Sequence, residues 1–228
     1  MLLCRPVIQR FGINTKGRDL AVGDIHGCFS KLESMLQKIR FAPEEDRLFS
    51  VGDLVDRGPE SHHVLDWLNR PWFHAICGNH DLMTWRRAIG DPYPGVDHTM
   101  HGGQWLDACN TAEKQQIAQR LRALPLAIEV ETAQGIIGIV HADFPYDDWQ
   151  AMHREQPSDD DEKICLWSSD RYRAQYTQPI KHVRAVVHGH TTLPKLTQLG
   201  NVFYIDTGGW RADGRFTLLD LQRLKAVC

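Results

Sequence analysis

"RLFSVGDLVDRGPES" runs from Arg47 to Ser61. The first part is an apolar, β-prone run. The second is a turn that places Asp53, Asp56 and Arg57 between Gly52 and Gly58. A short apolar run bounded by glycine reads as a buried strand. A single ion pair needs only one carboxylate, so the second Asp in the turn asks for another reason.

The same pattern recurs outward from this stretch. "DLAVGDIHG" (Asp19–Gly27), "WFHAICGNHD" (Trp72–Asp81), "GIIGIVHAD" (Gly135–Asp143) and "RAVVHGHT" (Arg184–Thr191) each end an apolar run in a Gly- and Asp- or His-rich turn. Helical patterns lie between the first few. "CFSKLESMLQKIR" puts Phe29, Leu32, Met35, Leu36 and Ile39 on one face, with Ser30 a candidate N-cap. "SHHVLDWLNR" is similar and stops at Pro71. Strands alternating with helices predict parallel pairing through crossover helices. "EKQQIAQRLRAL" predicts a further amphipathic helix. From Leu126 onward strands dominate, with a hairpin at "ETAQGI". Two segments, Gly90–Gly103 and Asp143–Glu162, read as long Pro- and Asp-rich loops, functional or disordered. The acidic run Asp159–Glu162 predicts a solvated helix start.

Length and charge set limits. The 228 residues predict one domain, 1–228. A net charge of −3 gives no electrostatic footprint for nucleic acid, so an anionic substrate needs local positive charge. No apolar run approaches the roughly 18 residues of a membrane span. The opening "MLLCRPVIQR" does not read as a secretory signal. Cys4, Cys28, Cys77, Cys109, Cys165 and Cys228 are scattered, which predicts reduced thiols in a cytoplasmic protein.

Asp24, His26, Asp53, Asn79, His80, His141 and His190 each follow an apolar run by a residue or two. Sites in α/β sheets assemble at the carboxyl ends of strands. Carboxylate, amide and imidazole together suit Mn²⁺, Fe or Zn²⁺ better than Ca²⁺, which takes oxygen alone. The surplus of ligands over one site suits two ions held roughly 3.5–4 Å apart. Seven other histidines (His62, His63, His74, His98, His101, His153 and His182) fit no strand end and read as surface or loop residues.

In this order, "GDIHG", "GDLVDRG", "GNHD", "HAD" and "GHT" resemble the metal-dependent phosphoprotein phosphatases, of the small bacterial and bacteriophage lambda type. The resemblance covers nearly the whole chain, including "GGQWL", "HADFPYD" and "YIDTGG". It implies an α/β (α+β) fold: a β-sandwich of two mixed sheets flanked by helices, with a dinuclear site usually loaded with Mn²⁺, or with Fe, Zn, Ni or Mg. It implies hydrolysis of phosphomonoesters on a phosphorylated protein or peptide, by attack of a metal-bridging hydroxide. Position by position, Asp24 and His26 match ligands of the first metal, Asp53 the bridging carboxylate, and Asn79, His141 and His190 ligands of the second. Arg57 matches a phosphate-binding arginine. His80 matches the general acid, with Asp56 as its partner. The two Asp of the opening stretch thus have separate tasks.

Three departures matter. "GNHD" stands where the bacterial group more often has "GNHE". In "VVHGHT", His188 competes with His190 as the ligand. In "LWSSDRY", Ser169 stands where a second phosphate-binding arginine is common, which moves that expectation to Arg171 or Arg173. Asp206 reads as a supporting carboxylate and not a ligand. A symmetrical dinucleoside tetraphosphate hydrolase and a non-catalytic metal-binding module are the rival readings. Intact "VDRG" argues against the first, and a complete acid-plus-arginine set against the second.

Overall fold

The computed structural model describes residues 7–154 and 157–227; Cys4 and Cys228 lie outside them. One sheet has the spatial order β1 (Ile8–Phe11), β5 (Ala127–Thr132), β6 (Gly135–Val140), β7 (Ala185–His188), β9 (Val202–Tyr204), β8 (Thr197–Leu199). The other has the order β11 (Lys225–Ala226), β10 (Leu218–Asp220), β2 (Asp19–Val22), β3 (Arg47–Ser50), β4 (Phe73–Ala75). Both are mixed. In the second, β2, β3 and β4 are parallel; in the first, β6, β7 and β9 are parallel. The expected hairpin joins β5 to β6, with Thr132 opposite Gly135.

The apolar runs look continuous because the central strands are covered on both faces. Period-two alternation divides them. Ala21, Phe49, Ile128, Val130, Ile137, Ile139, Val187 and Phe203 meet between the sheets. Leu20, Val22, Leu48, Val140, Val186, Val202 and Tyr204 point the other way, into the layers of helices and loops. The sandwich of two mixed sheets expected from the sequence is the observed architecture.

The helices are α1 (Phe29–Lys38), α2 (Val64–Leu68), α3 (Asn79–Ala88), α4 (Thr111–Arg122), α5 (Ala151–Arg154), α6 (Asp159–Trp167) and α7 (Asp170–Arg173). Ser30 is not the cap of α1, which starts one residue earlier. Its backbone N–H instead donates to the Glu60 carboxylate at 2.7 Å, so the cap comes from the turn after β3. Helix α4 carries an Asn110/Glu113 capping box and α6 a Ser158/Asp161 box. The acidic helix start at Asp159 is as expected. Both long irregular segments contain short helical turns, at His98–His101, α5 and the start of α6.

Candidate active site

The parallel strands of both sheets bring their carboxyl ends to one edge of the sandwich. Asp24 and His26 follow β2, Asp53 follows β3, and Asn79 and His80 open α3 just after β4. His141 follows β6 and His190 follows β7. The turns are tight. His26, Asp53, Asp56, Arg57 and His190 all have positive φ, between 45° and 73°. Each such non-glycine conformation costs on the order of 1 kcal/mol, and residues of this kind cluster at functional sites. At Gly78 a side chain is excluded outright, since a Cβ would run into the Asp53 carboxylate. Asp81 ties the two turns together: its carboxylate accepts from the N–H of Leu54 at 3.0 Å and of Gly78 at 2.9 Å.

The imidazoles are oriented from behind. Nδ1 of His26 lies 2.9 Å from the Val55 carbonyl, and Nδ1 of His141 lies 2.7 Å from the Val51 carbonyl. A ring nitrogen facing a carbonyl oxygen must carry the proton. The Nε2 lone pairs of both rings therefore point forward. For His190 the roles swap: Nε2 faces the Trp167 carbonyl at 3.1 Å, and the Nδ1 lone pair points forward. The amide oxygen of Asn79 lies 2.9 Å from Nε2 of His141 and 3.1 Å from Nδ1 of His190. Nε2 of His26 and of His141 lie 3.5 and 3.4 Å from opposite oxygens of Asp53. Lone pairs converging on lone pairs, with one carboxylate shared, suit a cation and not a hydrogen-bond network.

Among the described residues, two groups have ligand atoms within 4.8 Å of one another: His26, Asp53 and His80, and Asp53, His141 and His190. The second, with Asn79, is the expected set for one metal. The first contains His80, but its two nitrogens are otherwise engaged, as described below. Asp24 is the better third ligand there; its Oδ2 lies 4.0 Å from Nε2 of His26, and its carboxylate accepts from the His190 N–H at 3.1 Å. Burial, with Asp206 and Asp53 nearby, holds Asp24 well above the usual carboxylate range. Asp53 is held far below it: burial opposes ionisation, but His141, His80 and His26 outweigh it. Burial lowers His26 to about 3 and His190 to about 4, keeping both neutral as ligands must be.

Beside this cluster, Nδ1 of His80 donates to Oδ2 of Asp56 at 2.7 Å. Burial opposes the charge on Asp56, yet bonds from His80 and His98 hold it down at about 2. The Arg57 guanidinium reaches Nε2 of His26 at 2.7 Å and Nε2 of His80 at 3.0 Å, and lies over the Trp210 indole at 4.5 Å. A guanidinium, a hydrogen-bonded imidazole–carboxylate pair and converging lone pairs thus share one mouth.

Residues 18–194 match the model of the calcineurin-like phosphoesterases, more than half of the chain. The chain belongs to that family. Serine/threonine-protein phosphatase 1 of Salmonella typhimurium is 36% identical over 225 residues, 97% of this chain and 100% of that one. The symmetrical bis(5'-nucleosyl)-tetraphosphatase of Methylococcus capsulatus is 35% identical over 127 residues, 55% of this chain and 42% of that one. A solved structure provisionally assigned as a diadenosine tetraphosphatase shares the fold with a TM-score of 0.67 at 21% identity, covering 97% of this chain and 96% of that one. Membership makes this chain a phosphoesterase that uses divalent metal ions, and the converging lone pairs described above fit such ions.

Within this phosphoesterase, some expectations need correcting. Arg171 does not join the cluster. Segment 170–173 is helical, and the buried Arg171 guanidinium donates to the Gln178 carbonyl at 2.9 Å and to Asp147 at 3.2 Å. Arg173 is exposed, 3.8 Å from Asp170. His188 is buried with Nδ1 on the Val140 carbonyl at 2.8 Å and its ring against Tyr204. His190 is the histidine that faces the cluster. Asp206 is buried, accepting from Thr192 at 2.5 Å and the Gly208 N–H at 2.9 Å, as a supporting carboxylate would.

His74 and His98 are not surface residues. His74 packs against Phe11 and Phe49, and His98 reaches Asp56 at 2.8 Å. Sequence reasoning also missed Trp105, whose indole N–H donates to Asp56 at 2.8 Å, and Trp210. "GGQWL" and "YIDTGG" led to their doorstep; nothing in the residue pattern said which way the rings turn.

Proposed function

We propose that this chain, as one catalytic domain, is a metal-dependent protein phosphatase that hydrolyses phosphoserine and phosphothreonine monoesters. The observation that carries the reading is the His80–Asp56 hydrogen bond set against two ligand groups that share Asp53. Asp24, His26 and Asp53 would hold one cation, and Asp53, Asn79, His141 and His190 the other, a donor set that suits Mn²⁺, Fe or Zn²⁺ and from which the family resemblance selects Mn²⁺. Bound by these residues, the two cations would lower the pKa of water toward ~7 and neutralise charge on the phosphoryl oxygens.

The chain's own groups do the rest. Arg57 swings its fork from the imidazoles onto the phosphoryl oxygens. That movement uncovers Nε2 of His80. Protonated, His80 delivers a proton from Nε2 to the departing alkoxide, while Asp56 keeps hold of Nδ1–H and stabilises the imidazolium. With Arg171 committed elsewhere, Arg57 is the grip on phosphate. A relative named as a protein phosphatase aligns over the full length, whereas the tetraphosphatase relative aligns over about half. Scattered cysteines accord with a cytoplasmic setting; separately, no helix among the described residues is long and apolar enough to cross a membrane.

The test is a comparison of substrates. Metal-stripped protein given Mn²⁺ should release phosphate from a phosphoserine peptide far faster than it cleaves diadenosine tetraphosphate, and chelator should abolish both. Preference for the dinucleotide would replace this reading with the tetraphosphatase one.

A further inference from the structure

Asp56 carries more than its partner in acid catalysis. Oδ2 accepts from Nδ1 of His80 at 2.7 Å and from Nε2 of His98 at 2.8 Å. Oδ1 accepts from Trp105 Nε1 at 2.8 Å and from the Thr84 hydroxyl at 3.3 Å. A carboxylate has about four acceptor positions, and all are taken. Two imidazoles therefore compete for one oxygen.

The second imidazole is held in place by its surroundings. His98 is 5% exposed and Asp56 is 0% exposed. The His98 ring lies against Gly103, where any Cβ would overlap all three of the ring atoms nearest to it. Two residues beyond, Trp105 makes its own bond to Asp56, and the Gly102 carbonyl accepts from the Arg57 N–H at 3.3 Å. Segment 98–105 is thus a clamp over the turn that carries both the dyad carboxylate and the phosphate-gripping arginine. His98 offers Nε2–H to Asp56, and its Nδ1 is buried with no partner among the described residues. A cationic His98 would carry a second N–H there with nothing to accept it, a costly arrangement. His98 therefore sits on Asp56 as a neutral donor.

We propose that His98 is a positioning residue for the general acid: it fixes the Asp56 carboxylate, which in turn holds the His80 ring in the orientation from which Nε2 meets the leaving group. The proposal rests on the phosphatase reading. A carboxylate with every acceptor position filled has little freedom to turn. Without His98, Oδ2 would lose one of its two imidazole anchors, and the carboxylate would aim His80 less well.

The consequence falls on proton donation and not on metal binding. His98→Ala should lower kcat on the order of tenfold for an alkyl phosphate, whose alkoxide must be protonated, and much less for p-nitrophenyl phosphate, whose leaving group needs little help. Bound Mn²⁺ should stay the same. His98→Gln, which can present an amide N–H at the Nε2 position, should recover most of the loss. Equal losses on both substrates, or no loss on either, would overturn the proposal. A measurement independent of turnover covers misfolding of the alanine variant and failure of the phosphatase reading. In wild-type protein with ¹⁵N-labelled histidine, nitrogen shifts at neutral pH should report His98 as neutral with its proton on Nε2. A cationic or Nδ1-protonated His98 would sink the proposal even if the kinetics agreed. Wild-type protein inert toward both phosphates with Mn²⁺ would instead condemn the phosphatase reading.

Discussion

His80 and Asp56 are joined by a 2.7 Å hydrogen bond, and both are buried. His80→Asn should lower kcat by about 10²–10⁴, the size of a general-acid contribution. Asp56→Asn should do much the same. Because the two act as one unit, the double variant should be little worse than the worse single one. Additive losses in that cycle would dissolve the dyad. Arg57 and Arg171 make a contrasting pair. Arg57→Ala removes the guanidinium from the mouth of the site and should raise KM and lower kcat together. Arg171→Ala instead removes the guanidinium that donates to the Gln178 carbonyl and to Asp147, leaving Asp147 the Tyr176 hydroxyl. It should lower the melting temperature and leave kcat within a few-fold. A collapse of kcat with unchanged stability in Arg171→Ala would return Arg171 to the substrate side.

At the level of elements, the site depends on turns being tied to one another. Asp81 is the tie between the β3 turn and the start of α3. Asp81→Ala would leave the buried N–H groups of Leu54 and Gly78 without acceptors, at about 1–3 kcal/mol each. Denaturant unfolding should show a loss of that order, and Mn²⁺ affinity should fall because Asp53 and Asn79 sit on the two segments released. Unchanged metal affinity would mean the turns hold their shape unaided. The same elements show what the sequence could reveal. Strands such as Ala185–His188 were legible because burial on both faces makes them continuous apolar runs, and their ligands follow at the carboxyl ends. Strand β1 was missed because "IQRF" is partly exposed along its length and makes no continuous apolar run. Helix α3 was missed because Asn79 to Trp85 are all buried, polar and apolar alike, so no stripe of period 3.6 survives. His98 was missed because its place is set by a 3₁₀ turn in an irregular segment. Arg171 was misplaced because residues 170–173 form a helical turn that carries its guanidinium to Asp147 and the Gln178 carbonyl.

The whole molecule keeps several imidazoles neutral, and that should make it sensitive to acid. Burial holds His26 at about 3 and His190 at about 4 when folded, and His74 at about 4 by burial with Arg47 beside it. In the unfolded chain each titrates near 6.5. Between about 6.5 and 4 the unfolded state takes up protons that the folded state refuses. Stability must therefore fall as pH falls through that window, by up to ~1.4 kcal/mol per pH unit for each such histidine. Asp56 acts in the same direction lower down: its folded value of about 2 lies below the unfolded ~3.9, so its contribution is present above ~3.9 and fades toward pH 2. Metal should divide the histidines into two groups. His26 and His190 offer lone pairs to cations, whereas His74 packs on Phe11 and Phe49 with Arg47 and Asp19 as its charged neighbours. Mn²⁺ at 100 times its Kd should stabilise the protein by ~2.7 kcal/mol per site at neutral pH, and less as protons compete for the ligands in acid. His74→Phe should flatten the slope of melting temperature against pH in chelated protein while leaving the Mn²⁺ increment at pH 7.5 unchanged. If the substitution instead removed the increment, the metal response would run through the inter-sheet core, and the assignment of His26 and His190 as its source would have to be withdrawn.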